Sequence, residues 1–164
     1  RIEKWLAMKN FIVALSIVFI SFPAYSFEVN KELNQAFVCD GYLKANAVLD
    51  YESENDDKSV FSQKIKDITT AGLLISYPLL MEDKVSREDF ARYEAVSANA
   101  YNIIYQAALN QTWNSDHYEL ILECHNQLLR TSIKKSWLFK SKSFVEFDKK
   151  TGERVLSNIL KVLE

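Results

Sequence analysis

The chain is poor in residues that punctuate structure, with three glycines and two prolines in 164 residues. A sandwich or barrel of many short strands needs frequent turns, so this scarcity argues against one. Cysteine and histidine are equally scarce, at two each. A closed zinc site wants four ligands at short paired spacings, and Cys39, His117, Cys124 and His125 do not provide them. Adjacent Cys124 and His125 would project about 100° apart on a helix, a poor geometry for one ion. Positive charge is not in excess: the net charge is −2, which predicts no general affinity for nucleic acid. No catalytic or cofactor motif is present, so neither a cofactor nor a bound metal is expected.

Long apolar runs are also missing, with one exception. "MKNFIVALSIVFISFPAYS" starts at Met8 with Lys9 as a positive flank, continues with mostly apolar residues over 11–22, and breaks at Pro23 before Ala24-Tyr25-Ser26. This is the pattern of a secretory signal peptide. The apolar run is too short for a ~30 Å hydrocarbon core, which takes about 20 helical residues. Residues 8–26 are therefore read as an export signal cleaved after Ser26, and residues 1–7 as an extension outside the native protein. Residues 27–164 form the predicted domain, long enough for one sizeable core. Losing Arg1, Lys4 and Lys9 with Glu3 takes its net charge to about −4. The expected compartment is the periplasm or the secreted space.

Apolar residues in this domain repeat at helical spacing. A first helix is predicted over 31–49, capped by Asn30, with Ala36, Cys39, Leu43 and Ala47 on one face. A second is predicted over 59–76 from Phe61, Ile65, Ile68, Gly72 and Ile75, with Pro78 ending or kinking it. Ser86 and Asp89 read as a capping box that opens a third helix carrying Phe90, Tyr93, Val96, Ala100, Tyr101, Ile104 and Ala108. A fourth is predicted over 116–131, with Ile121, Cys124 and Leu128, and Tyr118, Leu122, His125 and Leu129, sharing its buried arc. "FDKKTGERV" resembles a hairpin turn, but Val155, Ile159 and Leu163 favour a short C-terminal helix. The expected fold is an all-α, single-domain bundle of four to five helices.

Four readings of Cys39 compete. It lies thirteen residues past the cleavage site, too far for a lipid anchor. The ligand count speaks against a metal. A nucleophile needs a base and an orienting group, and neither cysteine lies in a hydrolase signature. The disulfide fits export, even parity and the apolar helix faces. Cys39–Cys124 would tie helix 1 to helix 4.

Three charged or polar features remain. The run around "DYESENDDKS", six acids if Asp40 is counted, lacks calcium-loop spacing and reads as a solvated loop. Glu119 and Glu123 lack the partners of a paired-carboxylate site and read as surface. Tyr93, Tyr101 and Tyr105 read as core with hydroxyls at the rim, although a ligand pocket is the alternative. Asn110-Gln111-Thr112 matches a glycosylation sequon, without meaning in a bacterial envelope.

The stretch 130–154 carries eight bases interleaved with Trp137, Phe139, Phe144 and Phe147. Its functional reading is a surface for an acidic partner, anionic lipid or glycan, centred on Lys134, Lys135, Trp137, Phe139, Lys140 and Lys142. The competing reading is a terminal lobe with buried aromatics and solvated lysines.

"CDGYL" and "ECHNQLL", a dozen residues in two segments, resemble the plan of small exported bacterial helical proteins with one cysteine in the first mature helix and one in a late helix. Immunity proteins for type VI secreted amidases and periplasmic acid chaperones share it. The resemblance implies a one-disulfide bundle and carries over no site residue. The expectation is a non-enzymatic protein-binding factor such as an inhibitor or immunity protein. A stress or chaperone-like binder is the alternative, and a small hydrolase with an unrecognised site is a third reading. The expected partner is a protein, with membrane contact second to it.

Overall fold

The computed structural model describes residues 30–164. The predicted extension at 1–7 and the predicted export signal at 8–26 lie outside the described residues. Among these, five α-helices and one 3₁₀ turn account for nearly all the chain and there is no strand: α1 (Lys31–Glu52), α2 (Lys58–Met81), α3 (Arg87–Leu109), α4 (Ser115–Lys134), the turn η1 (Ser136–Lys140) and α5 (Lys142–Leu163). The all-α bundle expected from the apolar periodicity is present.

Each of the first four helices starts where a side chain meets orphan backbone N–H groups. Asn30 accepts from the Leu33 N–H at 2.9 Å, and Asp57 accepts from Ser59 and Val60 at 2.7 and 2.9 Å. Ser86 accepts from Asp89 at 3.0 Å, and Asn114 from Asp116 and His117 at 3.1 and 3.3 Å. Glycine is scarce at the other ends too. Glu54, Asp83 and Gln111 follow the C-caps of α1, α2 and α3 with φ of 58°, 54° and 56°. Each turn closes by the paired bonds of a Schellman motif, such as Thr112 N–H to Ala107 C=O and Gln111 N–H to Ala108 C=O. Left-handed backbone at a residue with a Cβ costs roughly 1–2 kcal/mol.

α1 and α2 form the centre of the bundle. α1 packs against α2, α3 and α4, and α2 also packs against α4 and α5. Gly41 and Cys39, two residues apart, point to nearly opposite sides of α1. Gly41 faces α3, where an added Cβ would overlap the Ser97 carbonyl oxygen and stand 2.8 Å from Ala100 Cβ and Tyr101 N. Only a missing side chain lets the two backbones come this close. Tyr93, fully buried, reaches back from α3 so that its hydroxyl accepts from the Asn30 N–H at 2.9 Å.

Cys39 faces α4 and is joined to Cys124 with a Cα–Cα distance of 5.0 Å. The disulfide therefore ties the first helix to the fourth, as parity and compartment predicted. The covalent tie closes a loop 85 residues apart in sequence, worth roughly 4 kcal/mol by loop entropy.

Several elements differ from expectation. α2 continues through Pro78 for a further turn. Pro78 removes one backbone donor, but the tail still packs Leu79 and Leu80 against Leu33, Phe37 and Ile75. The hairpin alternative at 143–154 gives way to one long helix, α5, with Gly152 buried inside it. A Cβ at 152 would sit 3.7 Å from the Lys66 stem, so this glycine marks a helix–helix contact. On α4, Cys124 and Leu128 are buried and Ile121 is half-buried, but Tyr118, Leu122, His125 and Leu129 are exposed. The period gave the apolar stripe correctly; the neighbours cover only one side of it.

Candidate functional site

The segment 130–154 divides between core and surface. Phe144 is fully buried and its ring lies edge-on to Tyr77 at 5.3 Å, while half-buried Phe147 packs on Tyr77 at 5.5 Å. Leu138 is buried with them. These three side chains anchor η1 and the start of α5, and the tight 3₁₀ turn sends their neighbours outward. Trp137 is 62% exposed and Phe139 43% exposed, with the Phe139 ring edge-on to Phe144 at 5.9 Å. Ile133, at the end of α4, is 77% exposed. Lys134, Lys140 and Lys142 are exposed in the same segment, whereas Lys135 is half-buried with its ammonium 3.9 Å from Glu32. The sequence-predicted residues thus share one stretch around η1. Phe144 and Phe147 belong to the core, as the competing reading held.

Other predicted groups are spread over the molecule. His117 caps α4, its Nδ1 2.6 Å from Asn114 Oδ1, and stacks on Trp113. His125 is exposed and lines a shallow groove between α2 and α4 that also includes Asp67, with no hydrogen bond joining the two. Glu119 and Glu123 are exposed on α4. Among the described residues no cluster of three or more His, Cys, Asp or Glu is arranged to hold a metal ion. No described helix is long and apolar enough to cross a membrane.

The acidic run is structural as well as solvated. Asp57 caps α2, and Asp50 and Asp56 hold Lys64 at 2.9 and 2.5 Å. Burial pulls the Lys64 ammonium toward the neutral form, but Asp56 and Asp50 outweigh it and raise its pKa. Glu52 accepts from the Tyr105 hydroxyl at 2.9 Å. Asp40 departs furthest from the solvated reading: it lies in α1 at 5% exposure. Its carboxylate accepts from Lys44 at 2.6 and 2.7 Å and from the Ser97 hydroxyl at 2.6 Å. A buried charge persists only where such partners meet it.

This polar cluster lies at the floor of a cleft of about 470 Å³ between α3 and α5. α3 and α5 are not packed closely on each other; Arg154 bridges them to Glu94 at 3.2 Å. The walls are mostly apolar, with Phe37, Leu73, Val155 and Ile159 among them. Tyr101 also lines the cleft, and its phenol is pushed up to about 12 by burial, then by Tyr105 and Glu52. Of the three predicted tyrosines, Tyr93 is core, and Tyr101 and Tyr105 stack half-buried at 5.5 Å. The residue-by-residue reading missed Asp40, Lys44 and Ser97 as a group. The available signal was an acid and a base four apart on a helix face otherwise carrying Phe37, Gly41 and Val48. Compared with family models, curated proteins and solved structures, the chain matches none.

Proposed function

We propose that this is an exported, disulfide-clamped protein-binding factor that acts without catalysis, as an inhibitor or immunity protein does. The observation that carries the reading is Trp137, 62% exposed although the adjacent Leu138 is buried. An aromatic held out by a rigid anchor loses little conformational freedom on binding, and tryptophan is among the residues that dominate interface energetics. Ile133 and Phe139 are further exposed apolar side chains in this segment, and Lys134, Lys140 and Lys142 give the segment positive charge. Such a surface suits an acidic patch on a protein partner and speeds encounter with it. Export is supported by the apolar segment at 11–22 with its flanks and by the Cys39–Cys124 disulfide, which belongs to an oxidising compartment.

The test is purification of the tagged protein from the envelope of its own source after mild crosslinking. One protein partner at fixed stoichiometry is expected, lost in Trp137→Asp while the helical signal is unchanged. A broad set of unfolded clients would replace this reading by the chaperone-like one. Retention of the partner by Trp137→Asp, or recovery of no protein, would contradict it.

A further inference from the structure

We infer that the cleft between α3 and α5 binds a small, uncharged, mainly apolar molecule carrying one hydrogen-bond acceptor. The acceptor meets Lys44 and the apolar body lies along α5. The cleft does not include Trp137 and does not depend on the proposed function.

Size, lining and hydrogen-bonding capacity lead to this assignment. Protein interiors pack densely, and voids larger than a water molecule are few. About 470 Å³ falls within the roughly 300–1,000 Å³ of ligand sites, which combine apolar walls with a few placed polar groups. The polar groups here are placed: Asp40 is buried, and the Lys44 side chain is 12% exposed. An ammonium carries three N–H donors. Among the described residues its partner is the Asp40 carboxylate, so donor capacity remains for an acceptor in the cleft. The Ser97 hydroxyl gives its proton to Asp40 and offers no competing donor.

The charged groups facing the cleft select the head group. Asp40 neutralises Lys44, and at the rim Arg154 neutralises Glu94. A ligand carboxylate would compete with Asp40 for the same ammonium and repel it. A ligand amine would approach Lys44 with like charge and find Asp40 engaged. A hydroxyl or carbonyl oxygen meets Lys44 with neither penalty. The chain then covers Val155 and Ile159 on α5, removing apolar surface from water.

An eight-carbon series tests both parts on the oxidised protein: 1-octanol, octanoate and octylamine, followed by calorimetry. Octanol is expected to bind with one-to-one stoichiometry, about tenfold tighter than either charged analogue. Ala98→Trp, at an exposed position lining the cleft, should abolish binding with the fold intact. Lys44→Met should weaken octanol about tenfold. Because that change strands Asp40, the neutral double variant Asp40→Asn/Lys44→Met provides the same comparison in a chain without the stranded charge. Trp137→Asp should bind octanol like the parent. Absence of octanol binding, full binding by Ala98→Trp, or tighter binding of octanoate or octylamine would overturn the inference. So would a dimer that octanol splits, which would assign the cleft to a second copy. Capture of a protein by a photocrosslinker at Ala98 would assign it to a partner and overturn it as well.

Discussion

The seam between α1 and α3 and the edge formed by α4 and η1 handle apolar surface in opposite ways. At the seam, Gly41 brings two backbones together, Tyr93 and Ile104 are sealed, and even Asp40 is buried with its partners. At the edge, α4 contributes Cys124 and Leu128 to the core and leaves Leu129 and Ile133 outside, and η1 holds Trp137 out while burying Leu138. α3 at the seam and α4 at the edge are both regular helices, and both pack on α1. The difference is neighbours: α1 lies between α2, α3 and α4, whereas nothing among the described residues covers the outer side of α4. Burial fixes the first region; the second is available for recognition.

The largest break in this contrast is reduction of Cys39–Cys124, or its replacement by two alanines. The expected loss is about 4 kcal/mol in urea denaturation. Hydrogen exchange should show the amides of α4 losing protection before those of α1 and α3, because the edge depends on the covalent tie and the seam does not. Simultaneous loss in all three helices would show that the two regions are one cooperative unit.

Next comes Gly41→Ala, which attacks the seam itself. An added methyl meets backbone atoms of α3 rather than a flexible side-chain end, so the helices must separate. Destabilisation of about 3 kcal/mol is expected, read from the denaturation midpoint, although alanine is the better helix former by about 1 kcal/mol. A neutral or stabilising result would contradict the close approach.

A smaller change sharpens the link between the two regions. Gln111 occupies the left-handed position in the turn from α3 to α4. Gln111→Gly should stabilise by about 1 kcal/mol by removing the Cβ penalty, measured as a raised melting temperature with unchanged partner binding.

The smallest effect is a pH dependence away from both regions. Asp148, which accepts from the Thr70 hydroxyl at 2.7 Å, has its pKa raised above 3.8 by burial, with Asp67 adding to it and the Thr70 bond opposing it. A raised folded pKa favours the protonated form. The stability it contributes is fully present below the unfolded value and is lost as pH rises through the folded one. Asp148→Asn should therefore gain on the parent as pH rises from the unfolded carboxylate range through the raised folded value, seen as a widening difference in denaturation midpoint. A difference independent of pH would contradict the burial at this α2–α5 junction.

The seam was largely legible in the sequence and the edge only partly. Tyr93, Ala100, Ile104 and the Ser86 cap follow from helical period and local backbone chemistry, which neighbouring residues carry. Cys39–Cys124 followed from parity and compartment. The burial of Asp40 depends on Ser97, 57 residues away, and no local pattern in the acidic run reports that meeting. The α4 stripe showed which residues are apolar but not how much of the stripe a neighbour covers, since coverage belongs to the assembled bundle. Gly152 looked like a turn because a glycine at a helix contact and a glycine in a hairpin have the same letter. Trp137 and Phe144 lay in one interleaved run, and the 3₁₀ turn and its buried anchors are what separate them.

We propose that a protein partner docks at the edge at Trp137. The most direct measurement places a photocrosslinking residue at 137, and separately at Val162, which is 85% exposed on α5, in cells of the native source. One discrete crosslinked protein is expected from position 137 and none from position 162. Equal crosslinking from both positions, or none from 137 while the protein is folded and oxidised, would contradict it.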